Sequence, residues 1–233
     1  MSDLPLVEAI RAGLRAAAEP ERAEGMRAYM KSEMPFLGVR VPQVRRLVRG
    51  LPRPRSLTEL TDAAADLWRR AGYREERYAA SALTGLPMAR GQLGLLELHT
   101  EMIVTGAWWD HVDETAHRIG ELLVAHPDEL GPRVLSWSTD PDRWLRRTSI
   151  ICQLGLRQRT DLDLLTSVVA ANLDDREFFI RKAIGWALRD LAKTDPDWVH
   201  RFVEARRARL SPLSVREALK HIGPSRPREG GRP

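Results

Sequence analysis

The feature that most constrains this chain is an internal repeat with a period of about 35 residues. Three aromatic residues, Trp109, Trp144 and Phe179, are 35 residues apart (144−109 and 179−144). The positions three residues after them extend the same register in both directions: Arg77, Val112, Arg147, Lys182 and Glu217. A helical repeat of this length is typical of an α-solenoid, because a lone helix pair cannot bury its apolar face and must stack on its neighbours.

Helical spacing of apolar residues recurs along nearly the whole chain, with Pro or Gly between segments. It predicts helices over residues 4–18, 20–31, 42–49, 56–70, 75–88, 91–105, 108–124, 127–136, 143–157, 161–172, 176–193, 196–208 and 213–222. No run alternates as a strand does. We therefore predict an all-α fold, an α-solenoid of about six helix pairs with one concave face. We expect residues 1–222 to form a single domain and the Pro/Gly/Arg-rich residues 223–233 to be disordered.

Basic residues are clustered, and the formal net charge is +5. One cluster comprises Arg45, Arg46, Arg49, Arg53 and Arg55, and another comprises Arg201, Arg206, Arg207 and Arg209. Clusters of this kind favour a polyanion partner, with nucleic acid first. On composition alone, a solvated arginine-rich surface is an equally good interpretation.

Several classes of protein are disfavoured by the sequence. It has no apolar run of 18 residues, so we expect no membrane span. The first residues lack the basic start and apolar core of a signal peptide. Cys152 is the single cysteine, and no Cys/His cluster has the spacing of a zinc site. We expect a cytoplasmic protein with no metal site and no cofactor.

The stretch AWWDHVDE (residues 107–114) combines indoles with carboxylates. In a helix, Trp109 and Asp113 share a face, and Lys182, Trp186 and Arg189 form one stripe. Stacked repeats would bring these residues together, with cations to hold phosphates and rings to contact bases or sugars. Phosphate repels a carboxylate, so nucleic-acid binding alone does not account for Asp113 on this face. It either pairs with an arginine or stabilises positive charge on a substrate.

Structural roles compete with each of these assignments. Asp113 has two candidate ion-pair partners, Arg147 and Arg118, and His111 is expected at the surface or at a helix end. A tryptophan at helical spacing more often packs in the core than forms a site. We assign four tryptophans to core or inter-repeat packing: Trp68, Trp108, Trp137 and Trp198.

Taken together, the motifs resemble those of the AlkD-like DNA alkylation repair glycosylases, which are built from HEAT-like helical repeats. The matching stretches are collinear and span most of the chain. They are AEGMRAYMKSEMPFLGVRVPQVRRL (23–47), IVTGAWWDHVDE (103–114), WLRRTSII (144–151), EFFIRKAIGWALRDLAKTDPD (177–197) and LSVREALKHI (213–222).

This resemblance implies an enzyme of base excision repair that removes N3- and N7-alkylated purines from duplex DNA bound on the concave face. It implies that Asp113 is the catalytic carboxylate, that Trp109 and Trp186 flank the deoxyribose of the lesion, and that Arg147 holds a nearby phosphate. It also implies a set of residues that face DNA: Tyr29, Arg40, Arg45, Arg46, Phe178, Phe179, Lys182 and Arg189.

The implied chemistry suits a site without a metal or cofactor. An alkylated purine already carries positive charge and leaves neutral, so the site needs mainly a carboxylate that stabilises the oxocarbenium-like sugar. No lysine occupies an obvious nucleophile position, and we therefore expect a monofunctional hydrolase. We also expect a monomer, because a curved solenoid can clasp DNA alone, and association with the nucleoid. Arg40 and Gly155 depart from the family pattern, which bears on lesion range and affinity. The alternatives are a HEAT-repeat protein that binds DNA structure without excision, and a protein-interaction solenoid.

Overall fold

The computed structural model describes residues 5–222, and these residues contain helices but no strand. The all-α fold predicted from the repeat is therefore confirmed. The described residues fall into two compact units, one ending at Gly106 and the other beginning at Ala107. A single domain over residues 1–222 and its concave face stay predictions. The predicted disordered tail, residues 223–233, lies outside the described residues.

The first unit is a cluster of helices around a small apolar core. Its α-helices are α1 (Pro5–Ala16), α2 (Pro20–Met30), α3 (Val41–Gly50), α4 (Leu57–Arg69), α5 (Arg74–Thr84) and α6 (Leu96–Gly106), with 3-10 turns at Pro87–Ala89 and Leu93–Leu95. Helix α5 packs against α3 and α4, and α1 contacts all three. An ionic network joins α1 to its neighbours, because Arg11 lies 3.0 Å from both Asp66 of α4 and Glu76 of α5.

The second unit shows the repeat most clearly. Its α-helices are α7 (Trp109–Ala125), α8 (Pro127–Trp137), α9 (Arg143–Ile151), α10 (Leu162–Ala170), α11 (Phe178–Leu191), α12 (Pro196–Ala205) and α13 (Pro212–Ala218), with a 3-10 turn at Arg157–Arg159. Helices α7, α9, α11 and α13 pack side by side in that order, while α8, α10 and α12 cover them. The register residues of this unit, from Trp109 to Glu217, lie on the helices that pack side by side, as the period requires.

Two glycines allow the helices of this layer to approach closely. A Cβ atom added at Gly120 of α7 would lie 2.0 Å from the Cys152 carbonyl oxygen at the end of α9. A Cβ atom added at Gly185 of α11 would lie 2.5 Å from the Cβ of Glu217 on α13. Only a residue without a side chain fits at such separations.

Side-chain caps fix where four of the seven α-helices described in the second unit begin. The Asp142 carboxylate accepts hydrogen bonds from the backbone N–H groups of Trp144, at 2.6 Å, and Leu145. Asp161, Asp195 and Ser211 cap α10, α12 and α13 in the same way. Because the cap sets the first turn of α9, it also sets the rotation at which Arg147 projects one turn later.

Some predicted helix ends were wrong. Helix α9 ends at Ile151, well before residue 157, because the chain turns at Gly155 with a φ of 81°. Helix α5 ends at Thr84 and α6 begins only at Leu96, and the residues between them form turns and short 3-10 segments. Apolar spacing continues through these turns because their residues still face the core, and spacing alone therefore overestimates helix length.

Candidate functional site

The centre of the candidate site is an ion pair between Asp113 on α7 and Arg147 on α9. The Nε of Arg147 donates to one carboxylate oxygen at 2.7 Å, and its Nη2 donates to the other at 2.8 Å. This two-pronged geometry fixes the plane of the carboxylate as well as its position. Of the two candidate partners for Asp113, Arg147 is the one bonded to it, whereas Arg118 pairs with Glu114 and Glu121.

Arg147 is held from several sides and has almost no contact with solvent. Its Nη1 donates to the backbone carbonyl of Phe179 at 2.6 Å, and the residue is only 1% exposed. Contact between Arg147 and a phosphate stays a prediction, since the structure instead commits this guanidinium to Asp113 and to α11. The side chain of Asp113 is 20% exposed, so part of the carboxylate remains open to an incoming group.

Aromatic faces and cations surround this ion pair. The Arg147 guanidinium carbon lies 5.4 Å from the ring centre of Trp186, which also has Lys182 at 5.5 Å and Arg189 at 6.0 Å. Lys182 forms no ion pair with a carboxylate within residues 5–222, whereas Arg189 is bound to Glu217 at 2.6 Å. The predicted stripe therefore exists on α11, with one of its cations neutralised and the other available for an anion.

Trp109 opens helix α7 one turn before Asp113 and is partly exposed, as is Trp186. The helix geometry places Trp109 and Asp113 on one face, as the spacing predicted. The carboxylate thus has an indole on its own helix and, beyond Arg147, the indole of Trp186. Their roles in flanking a deoxyribose stay predictions.

The aromatic residues of the 35-residue register form a packed cluster. Trp108, the residue before α7, lies with its ring centre 6.2 Å from that of Trp144 and 5.6 Å from that of Phe179. Trp144 and Phe179 are 5.0 Å apart, and Phe178 continues the cluster outwards with 49% of its surface exposed. Trp144 is only 3% exposed, so it is a core residue that positions α9 beside α11. The assignment of Trp108 to inter-repeat packing is confirmed.

The other residues predicted to face DNA belong to the first unit. Tyr29 is 75% exposed at the end of α2, and three arginines at or within α3 are also exposed: Arg40, Arg45 and Arg46. Arg40 lies at the start of α3, where its backbone N–H donates to the Gln43 side chain at 2.9 Å. Nothing in the geometry assigns a ligand to this group, and its contact with DNA stays a prediction.

The loop that leads into these arginines is held by a buried carboxylate that the sequence did not single out. Glu75 is fully buried and accepts backbone hydrogen bonds from Leu37, Gly38 and Val39 at 2.9–3.1 Å. Gly38 has a φ of 86°, and a Cβ atom there would lie 2.1 Å from the Glu19 carbonyl oxygen. The only signal in the sequence is that Glu75 falls on the apolar side of α5. Helical spacing alone does not show that such a glutamate is buried and bonded to a distant loop.

The described residues contain no group of three or more His, Cys, Asp or Glu side chains arranged to hold a metal ion. None of the helices in this part of the chain is long and apolar enough to cross a membrane. Cys152 is buried, and burial raises the pKa of its thiol to about 12.

Comparison with known proteins identifies the family. The sequence is similar to a solved structure described as a predicted DNA alkylation repair enzyme from Enterococcus faecalis, with 28% identity, coverage of 89% of this chain and 98% of that one, and a TM-score of 0.75. It also matches Pseudomonas fluorescens alkylpurine DNA glycosylase AlkC bound to DNA containing an abasic site analog, with 17% identity, coverage of 94% and 62%, and a TM-score of 0.45. No curated protein matches the sequence. The family model for DNA alkylation repair enzymes matches residues 10–222, and the chain therefore belongs to that family.

Proposed function

We propose that this protein is a monofunctional DNA glycosylase of the AlkD-like kind, which hydrolyses the N-glycosidic bond of N3- and N7-alkylated purines in duplex DNA. The observation that carries the proposal is the Asp113 carboxylate, fixed by two hydrogen bonds from Arg147 and still 20% exposed. Such a group is a preorganised negative charge next to partly exposed indoles, in a family of DNA alkylation repair enzymes.

The reaction needs little more than this from the protein. The C1′–N bond breaks with its electron pair moving onto the base, so the cationic purine leaves neutral. Positive charge develops on the sugar, where the carboxylate stabilises it. Water then attacks C1′ and loses a proton to solvent or to Asp113, which leaves an abasic site. Partly exposed indole faces at Trp109 and Trp186 would stabilise the same cation through their ring electrons.

In this proposal Arg147 acts through Asp113. Its fork fixes the carboxylate in one orientation, and its bond to the Phe179 carbonyl ties that orientation to α11. Because the carboxylate is already held in one orientation, it can stabilise the transition state without reorganising. Arg147 also offsets part of the negative charge, which reduces the repulsion between Asp113 and the phosphates of bound DNA.

The ion pair also favours a second candidate, a family member that binds DNA without excising a base. An aspartate bonded through both oxygens is what a purely structural pair between α7 and α9 would present. The two candidates differ in what happens to the glycosidic bond. They share the cationic and aromatic stripe of α11.

The test is to incubate the protein with methylated duplex DNA and to measure free N3-methyladenine and N7-methylguanine by chromatography. The proposal expects release of both bases, and no release of uracil from a matched uracil-containing duplex, because a neutral base leaves as an anion. Borohydride should trap no covalent complex with DNA, since no Schiff base forms. Tight binding to methylated DNA without base release would favour the second candidate.

A further inference from the structure

Arg77 on α5 is a cation whose setting within the first unit lacks a counter-charge. Its guanidinium carbon lies 4.8 Å from the ring centre of Trp68, and its Nη1 donates a long hydrogen bond, 3.4 Å, to the Thr105 carbonyl. The Nε is buried without a hydrogen-bond partner in the described part of the chain. Arg77 forms no ion pair with any carboxylate within residues 5–222. Proteins rarely leave a partly buried cation in this state.

The neighbouring charge makes the setting less favourable. Burial, and then the positive charge of Arg74 one turn earlier on the helix, lower the pKa of Arg77. The nearby carboxylate Glu76 is bonded to Arg11 instead. An anion that approached the exposed end of the Arg77 guanidinium would therefore relieve this repulsion.

Arg77 also occupies the same position in the 35-residue register as Arg147, because 147−77 is twice 35. The two arginines have similar surroundings. Each lies over a tryptophan, Trp68 or Trp186, and each donates to a backbone carbonyl of a neighbouring helix segment. The difference is the anion, which for Arg147 is supplied by Asp113.

The same spacing explains why no carboxylate within residues 5–222 pairs with Arg77. Asp113 precedes Arg147 by 34 residues (147−113), and the residue 34 positions before Arg77 is Gln43. Gln43 lies on α3, which packs against α5 as α7 packs against α9. Its side chain is uncharged and accepts a hydrogen bond from the backbone of Arg40 at the start of α3. In the first unit the repeat therefore has the arginine, Arg77, but has Gln43 at the position that corresponds to the carboxylate of Asp113.

We propose that Arg77 binds a backbone phosphate of duplex DNA, which takes the place that Asp113 occupies beside Arg147. This inference rests on the proposed function for its ligand, and it assigns to α5 a contact additional to those on α3 and α11. The indole of Trp68 limits the rotation of the guanidinium, and its Nε1 is itself held by the Thr105 hydroxyl at 2.8 Å. The donors of Arg77 are therefore positioned before DNA arrives.

The test compares Arg77→Gln with Arg69→Gln, a matched control that removes the same charge. Arg69 lies on α4, is well exposed and already pairs with Glu101 at 2.6 Å. Binding to an undamaged duplex is measured by fluorescence anisotropy over a series of salt concentrations. One lost phosphate contact should make the slope of log affinity against log salt shallower by about 0.9. If the variant and wild type bind equally at 1 M salt, the variant then binds about eightfold more weakly than wild type at ~0.1 M salt. Arg69→Gln should keep the wild-type slope, and Arg77→Lys should keep most of it.

A purely structural role for Arg77 predicts the opposite pattern. Arg77→Gln would then lower the thermal midpoint and leave the salt slope unchanged, and an unchanged slope overturns the proposal whatever happens to stability. The measurement uses undamaged DNA and no base release. A protein that binds through Arg77 but excises nothing would contradict the proposed glycosylase and leave this inference standing.

Discussion

Removing one partner of the Asp113–Arg147 pair should cost a measurable part of the stability of the second unit. Arg147→Met keeps much of the apolar length of the side chain and deletes both charged hydrogen bonds to Asp113. Breaking a buried pair costs about 3–5 kcal/mol, and we expect about 2–4 kcal/mol here. We expect a smaller cost than for a fully buried pair because the Asp113 side chain is 20% exposed, so water can solvate the carboxylate that Arg147→Met leaves without a partner. The Arg147 side chain is only 2% exposed.

A double-mutant cycle with Asp113→Asn isolates the pair. The bond from Arg147 to the Phe179 carbonyl is lost in both Arg147→Met and the double variant, so its contribution cancels. Two charge-assisted bonds at 2.7 and 2.8 Å should leave a coupling free energy of about 2 kcal/mol in urea unfolding. A coupling below about 0.5 kcal/mol would contradict the positioning role of Arg147, because a guanidinium that holds the carboxylate in place must also bind it with measurable free energy.

Two further predictions concern the contact of α7 with α9. Gly120→Ala should lower the free energy of unfolding by about 3 kcal/mol, because its Cβ atom would lie 2.0 Å from the Cys152 carbonyl oxygen. Gly25→Ala within α2, where a Cβ atom meets nothing within 4 Å, should instead raise it by about 0.5–1 kcal/mol, and both are measured by urea unfolding. Equal effects of the two substitutions would contradict the close packing. The Cys152 thiol should resist iodoacetamide at pH 8 in the folded protein, because its burial keeps the reagent away and raises the thiol pKa to about 12, so that little thiolate is present. Labelling at the rate of an unfolded control would contradict its burial.

The repeat made much of the fold predictable. A period of 35 residues required equivalent helices to lie side by side, and α7, α9, α11 and α13 do so. The pairing of Asp113 with Arg147 was one of two alternatives that the spacing allowed. The sequence left both Arg147 and Arg118 open. Arg118 instead pairs with Glu114 and Glu121 on its own helix, and the packing of α9 against α7 brings Arg147 to Asp113.

Burial was harder to predict than position. His111 was expected at the surface or at a helix end; it lies in the first turn of α7 but is fully buried. It is on the same side of α7 as Thr115, whose hydroxyl donates to the His111 carbonyl at 2.8 Å. Arg147 was expected to hold a phosphate near the lesion but is only 1% exposed. In both cases a polar residue type suggested the surface, while the close approach of neighbouring helices placed it inside.

The buried carboxylate Glu75 shows a second limit. Its partners are backbone N–H groups of residues 37–39, nearly 40 positions away in the chain, and no side-chain pattern reports such bonds. Arg77 shows the converse. Its register position was visible in the sequence, but the missing counter-charge became visible only when its neighbours were in place.

The most direct test of the account is single-turnover release of N7-methylguanine by Asp113→Asn, with Glu114→Gln as the matched control. Glu114 is the adjacent carboxylate of α7 and pairs with Arg118 at 3.3 Å, so its removal tests the loss of an acid beside the site. The account predicts that Asp113→Asn loses at least a hundredfold in rate, on the order of the loss when one preorganised charge-stabilising group is removed, while it still binds methylated DNA. Glu114→Gln should stay within a few-fold of wild type. Excision by Asp113→Asn at near wild-type rate would contradict the account and reduce Asp113 to a structural partner of Arg147.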